Sequence, residues 1–366
     1  MLKVDALIVG AGTAGLATAL ALARAGQRVI AIDRRPQETG FAIGESLSPS
    51  ARPVLAKLGL WAAFLQTGPL PSPGNRSAWA TPELNRSRFL SQPGGRGWHI
   101  DRVVFDHMLA TQASDAGALI HRPKQLVTLE RQGSGWCATI AGPDPNTQQL
   151  VQAPTLIDAT GRAAAIARRL GARRHVVDNL IAWGSYGQPV PSHSDSADAG
   201  SWVEATPTGW WYTARIPRER MVVARMSAPE ARLRSFAPDL ATAPTYTRAR
   251  LSDHLPGSFQ NWRRWAAGSQ RISPSAGPGW FAVGDAAAAY DPISSHGIAS
   301  GLADAVRVAE AIASPAVDAW QTFDEVTYRR FERYLIDRSY VYGTVTRFRD
   351  NRFWRERAGP STQSAS

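Results

Sequence analysis

An α/β architecture is predicted by this sequence: a parallel sheet, an inserted antiparallel sheet and C-terminal helices. Three observations carry the prediction. An apolar run near the start ends in a glycine-patterned turn. The middle of the chain alternates aromatic, β-branched and polar residues, and the last part returns to helical spacing. In the first segment, Leu7-Ile8-Val9 reads as a buried parallel strand, and Gly10, Gly12 and Gly15 form a Gly-x-Gly-x-x-Gly turn. Gly10 permits the tight turn, Gly12 lets a pyrophosphate approach the backbone, and Gly15 lets the next helix pack closely. That helix is predicted from Ala14 to Ala25, ending at Gly26, with its N-terminal N–H groups and dipole facing the phosphates. A second strand, 28–32, delivers Asp33 to a ribose hydroxyl, 23 positions after Gly10. Asp33 and the adjacent Arg34 complete this first candidate set with Gly10, Gly12, Ala14 and Gly15.

Two further strand ends repeat the theme. Residues 153–162 form a short apolar strand closed by Asp158 and Gly161, and residues 280–287 form another closed by Gly284 and Asp285. Between them, residues 209–216 and 220–225 alternate as antiparallel strands do. We therefore expect a discontinuous nucleotide-binding domain over 1–75, 97–178 and 270–350, including the C-terminal helices. A substrate domain is expected from 76–96 and 179–269. Residues 189–201 read as an exposed loop, the aromatics after Ala319 as core of long helices, and 355–366 as a disordered tail.

Bulk properties narrow the function. The chain has 366 residues and a formal charge of +11, but only Lys3, Lys57 and Lys124 are lysines, and the 38 arginines are scattered in short runs. Such a pattern reads as a solvated surface rather than a nucleic-acid tract. No apolar run approaches the ~20 residues of a membrane helix. The single cysteine, Cys137, forms no internal disulfide, and the chain begins on its first strand without an apolar leader. A reducing, cytoplasmic setting is the expectation.

The three strand-end motifs, in this order, resemble those of FAD-dependent monooxygenases and tryptophan-halogenase-like flavoproteins. The likeness runs from Val4 to about Val345. It implies a fold of the group A flavin-hydroxylase type. By the resemblance, Asp158 and Gly161 lie beside FAD, and Asp285, next to Gly284, holds a ribityl hydroxyl. Pro292, Gly297 and Ile298 mark a helix N-terminus that meets the isoalloxazine ring. Glu45 and Ser46 resemble a Gly-Glu-Ser loop that runs along the flavin, and Arg102 the arginine that heads a cofactor-contacting helix.

Within this group the halogenase groups are missing. No lysine occurs between Lys57 and Lys124, and Ser294 stands where the tryptophan halogenases place a glutamate. The residues 75–79, 97–102, 209–212 and 291–295 resemble LodB/GoxB-like flavoproteins, although His296 stands where a glutamine is usual there. That resemblance implies oxygenation of a tryptophan in a partner protein or peptide during maturation of a quinone cofactor. The implied chemistry is reduction of FAD by NAD(P)H or a separate reductase, then O₂ addition to give a C4a-hydroperoxide attacked by an electron-rich ring. Trp79, Trp98, Trp210 and Trp211 are the candidate aromatic walls for the substrate. His296 and His99 are the candidate acid–base groups, because imidazole titrates near neutrality. Arg76 and Arg215 are candidates for an acidic substrate group. Three alternatives stay open: hydroxylation or oxidation of a small aromatic molecule, a halogenase-like protein lacking the halogenase lysine and glutamate, and a flavin-binding maturation factor without catalysis. Neither nucleic acid nor membrane is an expected partner.

Overall fold

The computed structural model describes residues 1–36, 44–89, 94–144, 147–188, 198–229, 237–252, 257–314, 316 and 318–359. Most of the expected loop, 189–197, and the end of the expected tail, 360–366, lie outside the described residues.

The glycine turn sits on a six-stranded sheet whose strands run, in space, 276–277, 280–282, 155–158, 6–9, 29–32 and 119–121. All neighbours are parallel except the first pair. The strands Ala6–Val9 and Val29–Ile32 are buried along their whole length, as parallel strands covered on both faces must be. Helix Thr13–Arg24 follows from the run of Ala and Leu, both strong helix formers, and stops where Gly26 adopts a φ of 80°. Its own Leu16, Leu20 and Leu22 are fully buried, each contributing on the order of 2 kcal/mol. The helix is wedged between Arg102–Asp115 and Gly297–Ala313. Gly284 and Gly301 make this possible: a Cβ on either would stand 2.6 or 3.1 Å from the Cβ of Ala14. Helix Arg102–Asp115 starts where the Asp101 carboxylate accepts from the N–H groups of Val103 (3.0 Å) and Val104 (3.3 Å).

The alternating stretches form a seven-stranded sheet in the order 263–266, 181–187, 220–227, 209–216, 201–206, 74–78 and 85–88. It is antiparallel except at one place, where Ser201–Thr206 runs parallel to Gly74–Ala78. The two strands lie far apart in the chain, so no hairpin forces them antiparallel. Alternation gives this sheet one face that carries Tyr186, Trp210 and Tyr212. The opposite face carries Trp211, which packs with Val223, Leu251 and Phe259.

Helix Ala319–Gly343 crosses behind both sheets, and Arg352–Arg357 follows it. This last helix corrects the expected tail. Trp354 is buried, and so is Arg357, which faces Asp178 at 3.7 Å, so this part of the expected tail is packed on the fold. Anchoring by an indole and an ion pair outweighs the polar composition that made 355–359 read as frayed. Among the described residues, no helix is long and apolar enough to cross a membrane.

Candidate active site

Three strand tips of the parallel sheet meet at one end, where parallel-sheet folds bind ligands. Gly10 (φ 105°) lies so close to the neighbouring tip that a Cβ would stand 2.1 Å from the carbonyl oxygen of Ala159. A Cβ on Gly15 would stand 1.9 Å from the Gly10 oxygen. Both glycines are thus demanded by protein backbone. Gly12 differs: its missing side chain faces open space, with only an Arg35 nitrogen at 3.9 Å. Gly12 caps helix Thr13–Arg24 without a side-chain hydrogen bond. Free N–H groups at an open helix start suit a pyrophosphate.

The acids divide sharply. Asp158 is buried and accepts from Thr160 N, Thr160 Oγ1, Ile166 N and Ala167 N at 2.6–3.0 Å. Those four donors fill a carboxylate, so Asp158 holds its own loop and presents no acceptor to a cofactor, which corrects the expected contact. Asp33 is likewise engaged, by Ala11 N (3.0 Å) and by the backbone N, Nε and Nη2 of Arg35 (2.9–3.2 Å). Although burial opposes its ionisation, the Arg35 hydrogen bonds and charge hold its carboxyl below the usual range. A ribose hydroxyl reaches Asp33 only if Arg35 yields. Arg34, the expected neighbour, is exposed. Asp285 is different again. It makes no hydrogen bond among the described residues, and burial pushes its carboxyl up against the opposing charges of Arg162 and Arg102. Gly161, at a φ of 67°, turns the chain ahead of Arg162.

Arg102 ties the site together. Its Nη2 donates to Thr13 Oγ1 (2.7 Å) and to Asp106, and its Nη1 lies where a Gly44 side chain would be. A Cβ on Gly44 would also stand 3.6 Å from Ile298. The glycine turn, the Gly44-Glu45-Ser46 segment and the start of helix Gly297–Ala313 therefore converge within one side chain's reach. Open space at Gly12, an unpartnered Asp285 and the unfilled position at Gly297 fit a flavin dinucleotide laid across these tips.

Beside this convergence is a cavity of about 580 Å³. Its wall brings together Ser46, Trp98, His99, Ser294 and His296, with Asn75 and Phe89 at one side. Trp98 stands edge-on to Trp61 and Phe64, at ring separations of 5.7 and 5.8 Å. Two tyrosines of the seven-stranded sheet hold the Gly-Glu-Ser segment. Tyr186 donates to the buried Glu45 carboxylate at 2.6 Å, and the Tyr212 hydroxyl is 2.6 Å from Ser46 Oγ, itself 2.9 Å from His99 Nδ1. Sequence reasoning missed both tyrosines, as well as Thr13, Arg35 and Arg162. The available signal was parity: Tyr212 alternates with Trp211 and Thr213 and so shares the face of Trp210.

His99 is 2% exposed, and burial, reinforced by the charge of Arg250, pushes its imidazole down to about 4. It is therefore neutral at physiological pH and serves as a fixed hydrogen-bond partner. A depressed histidine stabilises the fold above its unfolded pKa of 6.5, and this contribution is lost as pH falls toward about 4. Between pH 7 and pH 4 the wild type should lose on the order of 3 kcal/mol more stability than His99→Gln, measured by guanidinium unfolding. Equal losses would remove His99 from the acid response. His296 is exposed as a residue, and the burial its imidazole does have, with the Arg330 charge, lowers its pKa as well.

The four tryptophans separate. Trp98 lines the cavity. Trp79 and Trp210 do not: Trp79 Nε1 donates to the Val341 carbonyl and Trp210 Nε1 to the Tyr342 hydroxyl, both at 2.9 Å, within a cluster that includes Trp354. Trp211 lies on the opposite face of the sheet. These three are core, because the C-terminal helices cover one face and the 245–251 helix the other. Arg76 is paired with Asp198 at 2.7 Å.

A nucleotide-binding sheet, an open helix start and an adjoining aromatic-walled cavity define a flavin-dependent oxidoreductase. The chain belongs to the FAD binding domain family, which matches residues 3–321. It is 27% identical over 361 residues to the FAD-dependent oxidoreductase LodB of Marinomonas mediterranea, covering 96% of each chain. In fold it is similar to CndH, a myxobacterial chondrochloren halogenase, with a TM-score of 0.87 and 20% identity over 99% of this chain and 87% of that one. It is also similar to QhpG, a peptidyl tryptophan dihydroxylase essential for tryptophylquinone cofactor biogenesis. There the TM-score is 0.76, with 22% identity over 99% of this chain and 80% of that one.

Proposed function

We propose that this protein is an FAD-dependent monooxygenase that hydroxylates the indole ring of a tryptophan in a partner protein or peptide, during maturation of a quinone cofactor. The observation that carries the reading is the cavity itself. Its wall joins Trp98, His99 and Ser46 to the Ser294–His296 segment at the start of helix Gly297–Ala313. Bound FAD, reduced by NAD(P)H or a separate reductase, would supply the activated oxygen from O₂.

The chain's own residues do the rest. Gly12 and the first N–H groups of its helix would hold the pyrophosphate, Asp285 a ribityl hydroxyl, and the Gly297 helix start the polar edge of the ring. Trp98 gives an aromatic wall against which an indole stacks, and it helps to keep water from the reacting atoms. His296, at the cavity edge, accepts the proton released when the hydroxylated ring regains aromaticity. His99, locked neutral by burial, orients Ser46.

Among the described residues no lysine lines the cavity, and Ser294 offers no carboxylate, which favours oxygenation over halogenation. The likeness in fold to QhpG, a peptidyl tryptophan dihydroxylase, along nearly the whole chain supports a polypeptide substrate. A volume of about 580 Å³ equally suits a small aromatic molecule, and this is the second reading. Supplying the reduced holoprotein with O₂ and a tryptophan peptide should give a product heavier by oxygen, and a free small indole should react more slowly. Absence of oxygen transfer to either compound overturns the proposal. His296→Ala should retain FAD yet lower product formation about ten-fold or more, read by product mass spectrometry at constant flavin content. Unchanged turnover removes His296 from the reaction.

A further inference from the structure

We infer that strand Asn85–Arg88 is a docking edge for an extended acidic segment of the partner polypeptide, which adds to the seven-stranded sheet as an eighth strand. This inference rests on the reading that the target ring belongs to a polypeptide. Asn85-Arg86-Ser87-Arg88 is the outermost strand of its sheet, and all four residues are exposed. The Phe89 N–H donates to the Pro73 carbonyl at 3.0 Å, so residues 85, 87 and 89 point their backbone groups into the sheet. By the alternation of an antiparallel ladder, the N–H and C=O groups of Arg86 and Arg88 point outward, where no strand meets them among the described residues.

The two faces of this edge differ in chemistry. Ser87 stands opposite Asn75, and Asn75 and Phe89 both line the cavity, so Ser87 lies on the cavity side of the sheet. Arg86 and Arg88 lie on the other face, and neither forms an ion pair among the described residues. A strand hydrogen-bonded to Arg86 and Arg88 would place one residue opposite Ser87, facing the cavity mouth, and its two neighbours beside the guanidinium groups. The segment that fits carries an aromatic ring flanked on both sides by acidic residues.

The probes are two fluorescein-labelled peptides, Thr-Glu-Trp-Glu-Thr and Thr-Lys-Trp-Lys-Thr, titrated with the FAD-loaded full chain by anisotropy at low salt. The acidic peptide should bind about ten-fold or more tightly than the basic one. Arg86→Glu with Arg88→Glu should reverse that order while leaving the flavin spectrum and FAD content unchanged. Methylating the backbone nitrogens of the two glutamates should weaken binding several-fold, an effect that surface charge alone would not produce. Equal affinity for the two peptides, no binding of either, no reversal in the double variant or indifference to N-methylation each overturns the docking edge. Binding with this pattern but without oxygen transfer supports the edge and overturns the proposed function. Oxygen transfer without this pattern does the opposite.

Discussion

Gly15→Val should yield a chain that retains no FAD after purification. Its first added carbon would stand 1.9 Å from the Gly10 carbonyl oxygen and 3.0 Å from the Ala159 side chain, and both neighbours are fixed in the parallel sheet. Backbone cannot step aside as a flexible side chain does. Relief would require helix Thr13–Arg24 to lift from strand Ala6–Val9, separating the buried Leu16 and Leu20 from their core. The expected cost is on the order of 4 kcal/mol or more, with at least a hundred-fold loss of FAD affinity. Flavin absorbance per mole of protein and thermal melting check the two effects separately. Full flavin content would show that the helix start is not the pyrophosphate site. Gly12→Ala supplies the contrast: it adds its carbon to open space, so it should leave the fold intact while weakening FAD.

Arg338→Met should destabilise the fold by about 3–5 kcal/mol, measured by guanidinium unfolding at pH 7. Arg338 is 5% exposed and lies between two carboxylates, Asp178 at 2.7 Å and Asp291 at 3.2 Å. Burial already pushes the Asp291 carboxyl up, and Arg338 is the positive charge that opposes this. Without it, the Asp291 carboxylate keeps the Tyr342 hydroxyl (2.9 Å) and the Ile293 N–H (3.0 Å) as donors. Adding Asp291→Asn to Arg338→Met should recover part of the loss, because the uncompensated charge disappears with it. Additive losses would mean that the pair is not the source. The effect bears on function because Asp291 caps the Pro292–Ser294 turn, and that turn is part of the cavity wall.

Some of the site could be read without coordinates because its chemistry is local in the chain. The Gly10–Gly15 turn, its helix and the strand ending at Asp33 need only neighbouring residues to be recognised. The start of helix Gly297–Ala313 is local in the same way. The acids could not be told apart on the same ground. Asp158 and Asp285 both end apolar strands ahead of a turn, yet four donors from residues 160–167 saturate the first and, among the described residues, none reaches the second. Hydrogen-bond saturation depends on where later residues fold back, and a strand-end motif does not encode that.

The tryptophans teach the same lesson. Trp79, Trp98 and Trp210 have similar surroundings in the chain. Only the path of helix Ala319–Gly343 and of the Arg352–Arg357 helix decides that Trp79 and Trp210 are core. The amino-acid order alone determined the nucleotide-binding turn, the alternation of the second sheet and the absence of lysine from the middle of the chain, because each is a matter of spacing or composition. Tertiary structure alone decided which carboxylate is free, which indole faces the cavity and how Tyr186 and Tyr212 grip Glu45 and Ser46. The two tyrosine contacts join residues more than a hundred positions apart, and packing geometry, not sequence proximity, sets which of them touch.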